Sequence, residues 1–146
     1  MLSSLELTAF KAFDELSLPL GGLTLLAGVN SAGKSSVLQA LSLVRQSFDA
    51  AMLNQSTRGE LLLNGALVEL GTVADIYCEY ARREPSLIGF GFHGDEDEES
   101  LLLKGTGVAE EPAADVVRLD VGTHVPINTA TAFLRNSFNY LRADRL

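Results

Sequence analysis

Apolar and polar residues alternate near the start of the chain. Residues 5–10 read Leu-Glu-Leu-Thr-Ala-Phe, the two-residue period of a half-buried strand. Lys11-Ala12-Phe13-Asp14 makes a turn, and Leu16-Ser17-Leu18 alternates again before Pro19 and Gly21-Gly22 end the pattern. Residues 22–27 (Gly-Leu-Thr-Leu-Leu-Ala) are a short apolar run that predicts a buried parallel strand. The period then changes. Val37, Leu41, Val44 and Phe48 recur at spacings of three and four, which predicts a helix over residues 34–48 with one apolar face. Residues 49–58 turn polar and end it.

The second half reads as strands. Asn64-Gly65 between apolar runs is the strongest short hairpin signal. Leu87-Ile88-Gly89-Phe90-Gly91-Phe92-His93 interleaves glycines with aromatics, and Leu101-Leu102-Leu103-Lys104 resumes the strand character. Asp95-Glu96-Asp97-Glu98-Glu99 between them lacks the spacing of a metal-ligand loop and reads as a solvated hairpin tip. Residues 116–121 predict a further strand beside that hairpin, and residues 128–137 a helix.

Between the apolar run and the helix lies Gly28-Val29-Asn30-Ser31-Ala32-Gly33-Lys34-Ser35, a complete G-x-x-x-x-G-K-[ST] pattern. Backbone N–H groups can wrap a phosphate chain only where they approach it closely, and Gly28 and Gly33 carry no Cβ to block that approach. Asn30, Ser31, Ala32 and Ser36 complete the loop and the first helical turn, whose unpaired N–H donors attract an anion. Lys34 would reach the β- and γ-phosphates, and Ser35 would give its hydroxyl to Mg²⁺. ATP with Mg²⁺ is the expected cofactor.

Composition narrows the picture modestly. Of 146 residues, 47% are hydrophobic and 21% charged, as in a globular domain with a real core. A net charge of −8 argues against a broad nucleic-acid-binding face here, and leaves open a local basic patch or DNA contacts made by other regions. The single cysteine, Cys78, reads as a small buried hydrophobe and fits a reducing cytoplasm. No signal peptide and no run of membrane-spanning length is visible, so a soluble, cytoplasmic protein is expected.

Phe10-Lys11-Ala12-Phe13, followed by the loop and by Ser35-Ser36-Val37-Leu38-Gln39-Ala40-Leu41, resembles the start of an ABC-type ATPase of the SMC/RecF kind. Val29 stands where proline is common in that group, while Asn30 is kept. The Asn64-Gly65 hairpin and Gly71-Thr72-Val73-Ala74-Asp75 narrow the resemblance to the AAA-type, OLD-related prokaryotic ATPases common in anti-phage defence. The resemblance implies an α/β fold: the N-terminal lobe of an ABC-type P-loop NTPase head, with a mixed sheet, the loop helix and an antiparallel β subdomain. Residues 1–146 would be one lobe: a nucleotide core (1–58), the β subdomain (59–125) and a returning helix and strand (126–146). It also implies that Lys11 and Phe13 lie near the base or ribose, although Phe10 and Phe13 equally suit plain core packing. The implied partners are a second ATPase copy, head to head or in a higher oligomer, and a nuclease or other effector, with no membrane.

Several family motifs cannot be placed. Asp120 does not make a Walker B carboxylate, because Arg118 interrupts the apolar run and Val121 stands where a catalytic Glu belongs. His93 and His124 have no carboxylate or thiol at ligand spacing. A Leu-Ser-Gly-Gly-like signature is absent, and no glutamine follows Gln55. The expectation is therefore a fragment of an ATPase head that alone binds nucleotide weakly and hydrolyses it negligibly, with no catalytic residue of its own. Three alternatives stay open: a DNA repair or maintenance ATPase of the RecF type, a non-hydrolysing interaction module stabilised by nucleotide, and a small kinase or GTPase. The last lacks an Asn-Lys-x-Asp motif and an arginine-rich lid.

Overall fold

The early alternation becomes an antiparallel sheet in a computed structural model of the chain, which describes residues 2–29, 31–53, 59–82, 85–95 and 100–120. In chain order the elements are β1 (Leu2–Phe10), β2 (Phe13–Pro19), α1 (Lys34–Asp49), β3 (Glu60–Leu62), α2 (Val73–Ile76), β4 (Leu87–Gly94), β5 (Ser100–Thr106), a 3₁₀ turn (Val108–Glu110) and β6 (Val116–Arg118). One four-stranded sheet runs β2-β1-β4-β5, and a two-stranded sheet pairs β3 with β6. The large sheet thus joins strands from both sides of the glycine loop.

Register explains the glycine-aromatic alternation of β4. Leu7 pairs with Phe90, which pairs with Leu103; Leu5 pairs with Phe92, which pairs with Leu101. All six side chains are buried, and Phe10 meets Phe90 edge to face at 5.2 Å between centroids. Gly89 and Gly91 pair with Thr8 and Glu6, where a Cβ would come within 3.3 and 3.2 Å of the partner's own Cβ. The predicted β4–β5 hairpin forms, although residues 96–99 of its acidic tip lie outside the described residues.

Two predicted strands behave differently. Residues 22–27 belong to no sheet, and Leu23 and Leu25 are 93% and 87% exposed. A parallel strand buried on both faces needs a strand along each edge and layers above and below. Every ladder among the described residues is antiparallel, and none borders this segment. Residues 116–118 do form a strand, but it pairs with β3 through Leu61↔Val117 rather than extending the β4–β5 hairpin. It crosses β5 at Gly105, where a Cβ would lie 2.7 Å from the Arg118 carbonyl oxygen. Val117 and Leu119 thereby enter the same core as Leu61 and Leu63.

The helix forms with its apolar stripe rotated from the predicted one. Val37, Ala40, Leu43 and Val44 are buried, while Leu41 and Phe48 flank the core. Polar residues fill the rest of that face. Ser47 Oγ donates to Leu43 O (2.7 Å) and accepts from Leu62 N (2.8 Å), which ties α1 to β3. Gln46 Nε2 donates to Leu62 O (2.6 Å), and its Oε1 accepts from Leu67 N and Val68 N (3.2 and 2.9 Å). Gln46→Leu removes the side-chain partner of Leu62 O and of Val68 N and is expected to cost about 2–4 kcal/mol. Urea unfolding of the two proteins checks it; equal midpoints would show that the amide is dispensable.

The Asn64-Gly65 signal marks a real hairpin, with its turn two residues later than the signal suggests. Asn64 bridges to Glu69, and the Gly65 amide donates to Val68 O (2.9 Å). The Asn64 side chain pairs with both the N–H and the C=O of Gly71 at 2.9 Å. The predicted helix at 128–137 and His124 lie outside the described residues. No helix among the described residues is long and apolar enough to cross a membrane.

Candidate functional site

The glycine loop runs directly into the long helix. Gly28 (φ 148°), Ser31 (φ 71°) and Gly33 (φ 85°) all take positive φ, folding the chain back on itself before α1. Gly33 is the N-cap, and its carbonyl accepts the Val37 amide at 3.2 Å. The amides of Lys34, Ser35 and Ser36 fall in the first turn, where a helix offers no internal acceptor. The first turn carries no acidic side chain, so nothing there opposes an anion at the positive end of this 16-residue helix. Ser31, Ala32 and Ser35 are exposed; Gly33 and Ser36 are buried. Asn30 lies outside the described residues.

Lys34 folds over the loop. Its Nζ donates to Gly28 O at 2.7 Å and to Val29 O at 2.5 Å, which holds the ammonium beside the loop's mouth. Beside the loop lies a largely apolar cavity of about 230 Å³, walled by Phe13, Leu16 and Leu18 of β2, Leu25 and Leu26, and Lys34 and Val37 of α1.

Phe13 and Lys11 part company here. Phe13 lines the cavity, and its ring abuts Gly33 so closely that a Cβ on Gly33 would fall on the ring tip. Lys11 (φ 52°) does not line it. Its amide donates to Ile76 O (2.7 Å), and burial pulls its ammonium below the usual lysine range, against the opposing charge of Asp75. The sequence suggested the motif but gave no sign of the Phe13–Gly33 contact, which joins residues twenty positions apart through the fold.

Asp75 caps α2. The Thr72 amide and hydroxyl both donate to Asp75 Oδ2 at 2.8 and 3.0 Å, and these bonds, with a smaller contribution from the Lys11 charge, hold its carboxyl below the usual range. A depressed carboxyl stabilises the fold above its unfolded value, about pH 4, and loses that contribution as pH falls through the lower folded value. Asp75→Ala is therefore expected to lower the urea midpoint at neutral pH and to converge toward wild type as the pH falls through the lowered folded value. A difference that stays constant across the acid range would refute the charged cap.

Other candidates settle into structural roles. Cys78 is buried, and its amide donates to Ala9 O. His93 Nδ1 lies 3.1 Å from Ser100 Oγ, with Nε2 3.4 Å from a Glu6 oxygen. Asp120 Oδ1 accepts from the Thr106 amide and hydroxyl at 3.0 and 2.8 Å. It borders a larger cleft of about 400 Å³, whose Arg118 and Glu111 pair with each other at 3.1 Å. No group of three or more metal-ligating side chains occurs among the described residues.

Comparison with known proteins agrees with the loop. The family model of the AAA domain matches residues 1–74. The OLD nuclease of Thermus scotoductus (strain ATCC 700910 / SA-01) is 43% identical over 44 residues, which are 30% of this chain and 8% of that protein. The chain therefore matches only a small part of its curated relative. With a glycine loop opening a long helix and a family match over half its length, the chain belongs to the AAA domain family.

Proposed function

We propose that this chain is the ATP-binding part of an ATP-hydrolysing protein of the ABC/SMC-like, OLD-related type. The loop carries the reading: Lys34 Nζ held at the mouth of a glycine turn, with the first-turn amides of a 16-residue helix behind it. Gly28, Asn30, Ser31, Ala32 and Gly33 would present backbone donors to the phosphates, Lys34 its charge, and Ser35 its hydroxyl to Mg²⁺. Bound Mg²⁺ supplies charge neutralisation at the β- and γ-phosphates. Membership in the AAA family and the similarity to an OLD nuclease support both the nucleotide and a nuclease as the regulated output.

ATP-driven pairing of two heads would then gate that partner, in anti-phage defence. Such pairing lets one copy complete the other's site, placing donors against the γ-phosphate only when both are loaded. The test is ATP turnover by the full-length gene product, wild type beside Lys34→Ala, with and without DNA. Turnover that disappears in the variant supports the switch. Nucleotide binding without turnover would replace it with a nucleotide-stabilised interaction module.

A further inference from the structure

The geometry points to Phe13 as a positioning residue for the phosphate loop: its ring is the floor on which Gly33 rests, not a platform for the nucleotide base. Three observations carry this. First, a Cβ built on Gly33 would fall on the tip of the Phe13 ring, with Cζ nearest and the two Cε atoms next. The ring therefore meets the loop end-on, at the residue that caps α1. Second, Gly33 is buried with φ 85°, so it is held in the left-handed region from behind while Ser35, two residues on, faces solvent.

Third, the backbone that carries the ring is pinned on several sides. Phe13 closes the β1–β2 ladder opposite Phe10, whose ring is fully buried against Phe90. The end of β1 and the turn after it are tied to the end of α2 and the residues that follow: Lys11 N donates to Ile76 O (2.7 Å), Phe10 bridges to Tyr77, and Cys78 N donates to Ala9 O (2.9 Å). Ala9 and Lys11 each hold φ 52°, a conformation that side-chain-bearing residues keep only where surrounding structure enforces it. With its backbone so constrained, the ring can leave the loop only by changing its own rotamer, and at rest it packs against Gly33. It fixes the height of Gly33 and with it the direction of the Lys34 and Ser35 amides, where small displacements are costly.

The inference rests on the loop's binding phosphate, and the test separates the two claims. MgATP and inorganic tripolyphosphate are titrated into the full-length protein as wild type, Phe13→Tyr, Phe13→Leu and Lys34→Ala, with thermal melts of each. Tyrosine stacks on a base as well as phenylalanine does, but its hydroxyl extends from Cζ toward Gly33. Phe13→Tyr is therefore expected to weaken both ligands by the same factor, roughly ten- to a hundredfold, with Phe13→Leu weakening both by a smaller common factor. Wild-type binding by Phe13→Tyr would overturn the proposal. So would a loss confined to ATP, which is the mark of base stacking. If the tyrosine variant melts early, the ligand ratio in Phe13→Leu decides in the same way. Lys34→Ala with undiminished binding would instead overturn the phosphate-loop reading itself.

Discussion

Lys34→Ala is expected to lower the affinity for MgATP by roughly a hundredfold or more while leaving the fold intact. The lysine now donates to two carbonyls of its own loop, and a polyphosphate would receive the same ammonium. A hydrogen bond to a charged group contributes about 1.5–3 kcal/mol, and every 1.4 kcal/mol is about tenfold in affinity. Losing the charge and its bonds to the phosphates therefore costs two decades. Stability should barely move, since the side chain is only half-buried and contributes nothing to the apolar core. Lys34→Arg should rescue little, because a broad planar guanidinium does not reproduce a compact ammonium beside Gly28 and Val29. Filter retention of labelled ATP reads the affinity and a thermal melt reads the fold. Undiminished binding by a folded Lys34→Ala protein would remove the lysine from the site.

Gly33→Ala is expected to damage both stability and binding. At φ 85° an L-residue costs about 1–2 kcal/mol, and the new methyl would sit on the Phe13 ring tip, an overpacking that costs about 1–3 kcal/mol more. The loop must shift to relieve either, and the helix cap moves with it. Gly22→Ala is the control, since a Cβ there meets nothing within 4 Å. The double variant Gly33→Ala/Phe13→Ala separates the two causes. It should recover the clash component of stability and keep the backbone component, giving a coupling of about 1–3 kcal/mol between the sites. Strict additivity in urea unfolding would show that the ring and the glycine do not bear on each other.

What could be read from the chain depended on how local each signal was. Strands β1, β2, β4 and β5 and helix α1 follow from periods of two and of three to four, because one face of each meets a common core. The turn into α1 was legible for a different reason: Gly28 and Gly33 at fixed spacing mark positions of positive φ just before the helix. The partner of a strand is not local information. Leu23, Leu25 and Leu26 announce a buried strand, yet its pairing depends on neighbours that no pattern within 22–27 specifies. Val116 and Val117 read as an extension of the nearest hairpin, while the close approach at Gly105 sends them to β3.

Polar residues in buried places were the other blind spot. Gln46 and Ser47 look like solvent-facing helix positions until the β3 backbone arrives to use them. Phe13 looked like either core or base contact, and its closeness to Gly33 exists only once β2 and α1 are packed.

The most direct measurement is a calorimetric titration of ATP into the wild-type protein in the presence and absence of Mg²⁺, with Lys34→Ala alongside. Saturable one-site binding that strengthens with Mg²⁺ and weakens by roughly a hundredfold or more in the variant is the result this account predicts. No binding by the wild type, or the same heats from both proteins, would contradict it.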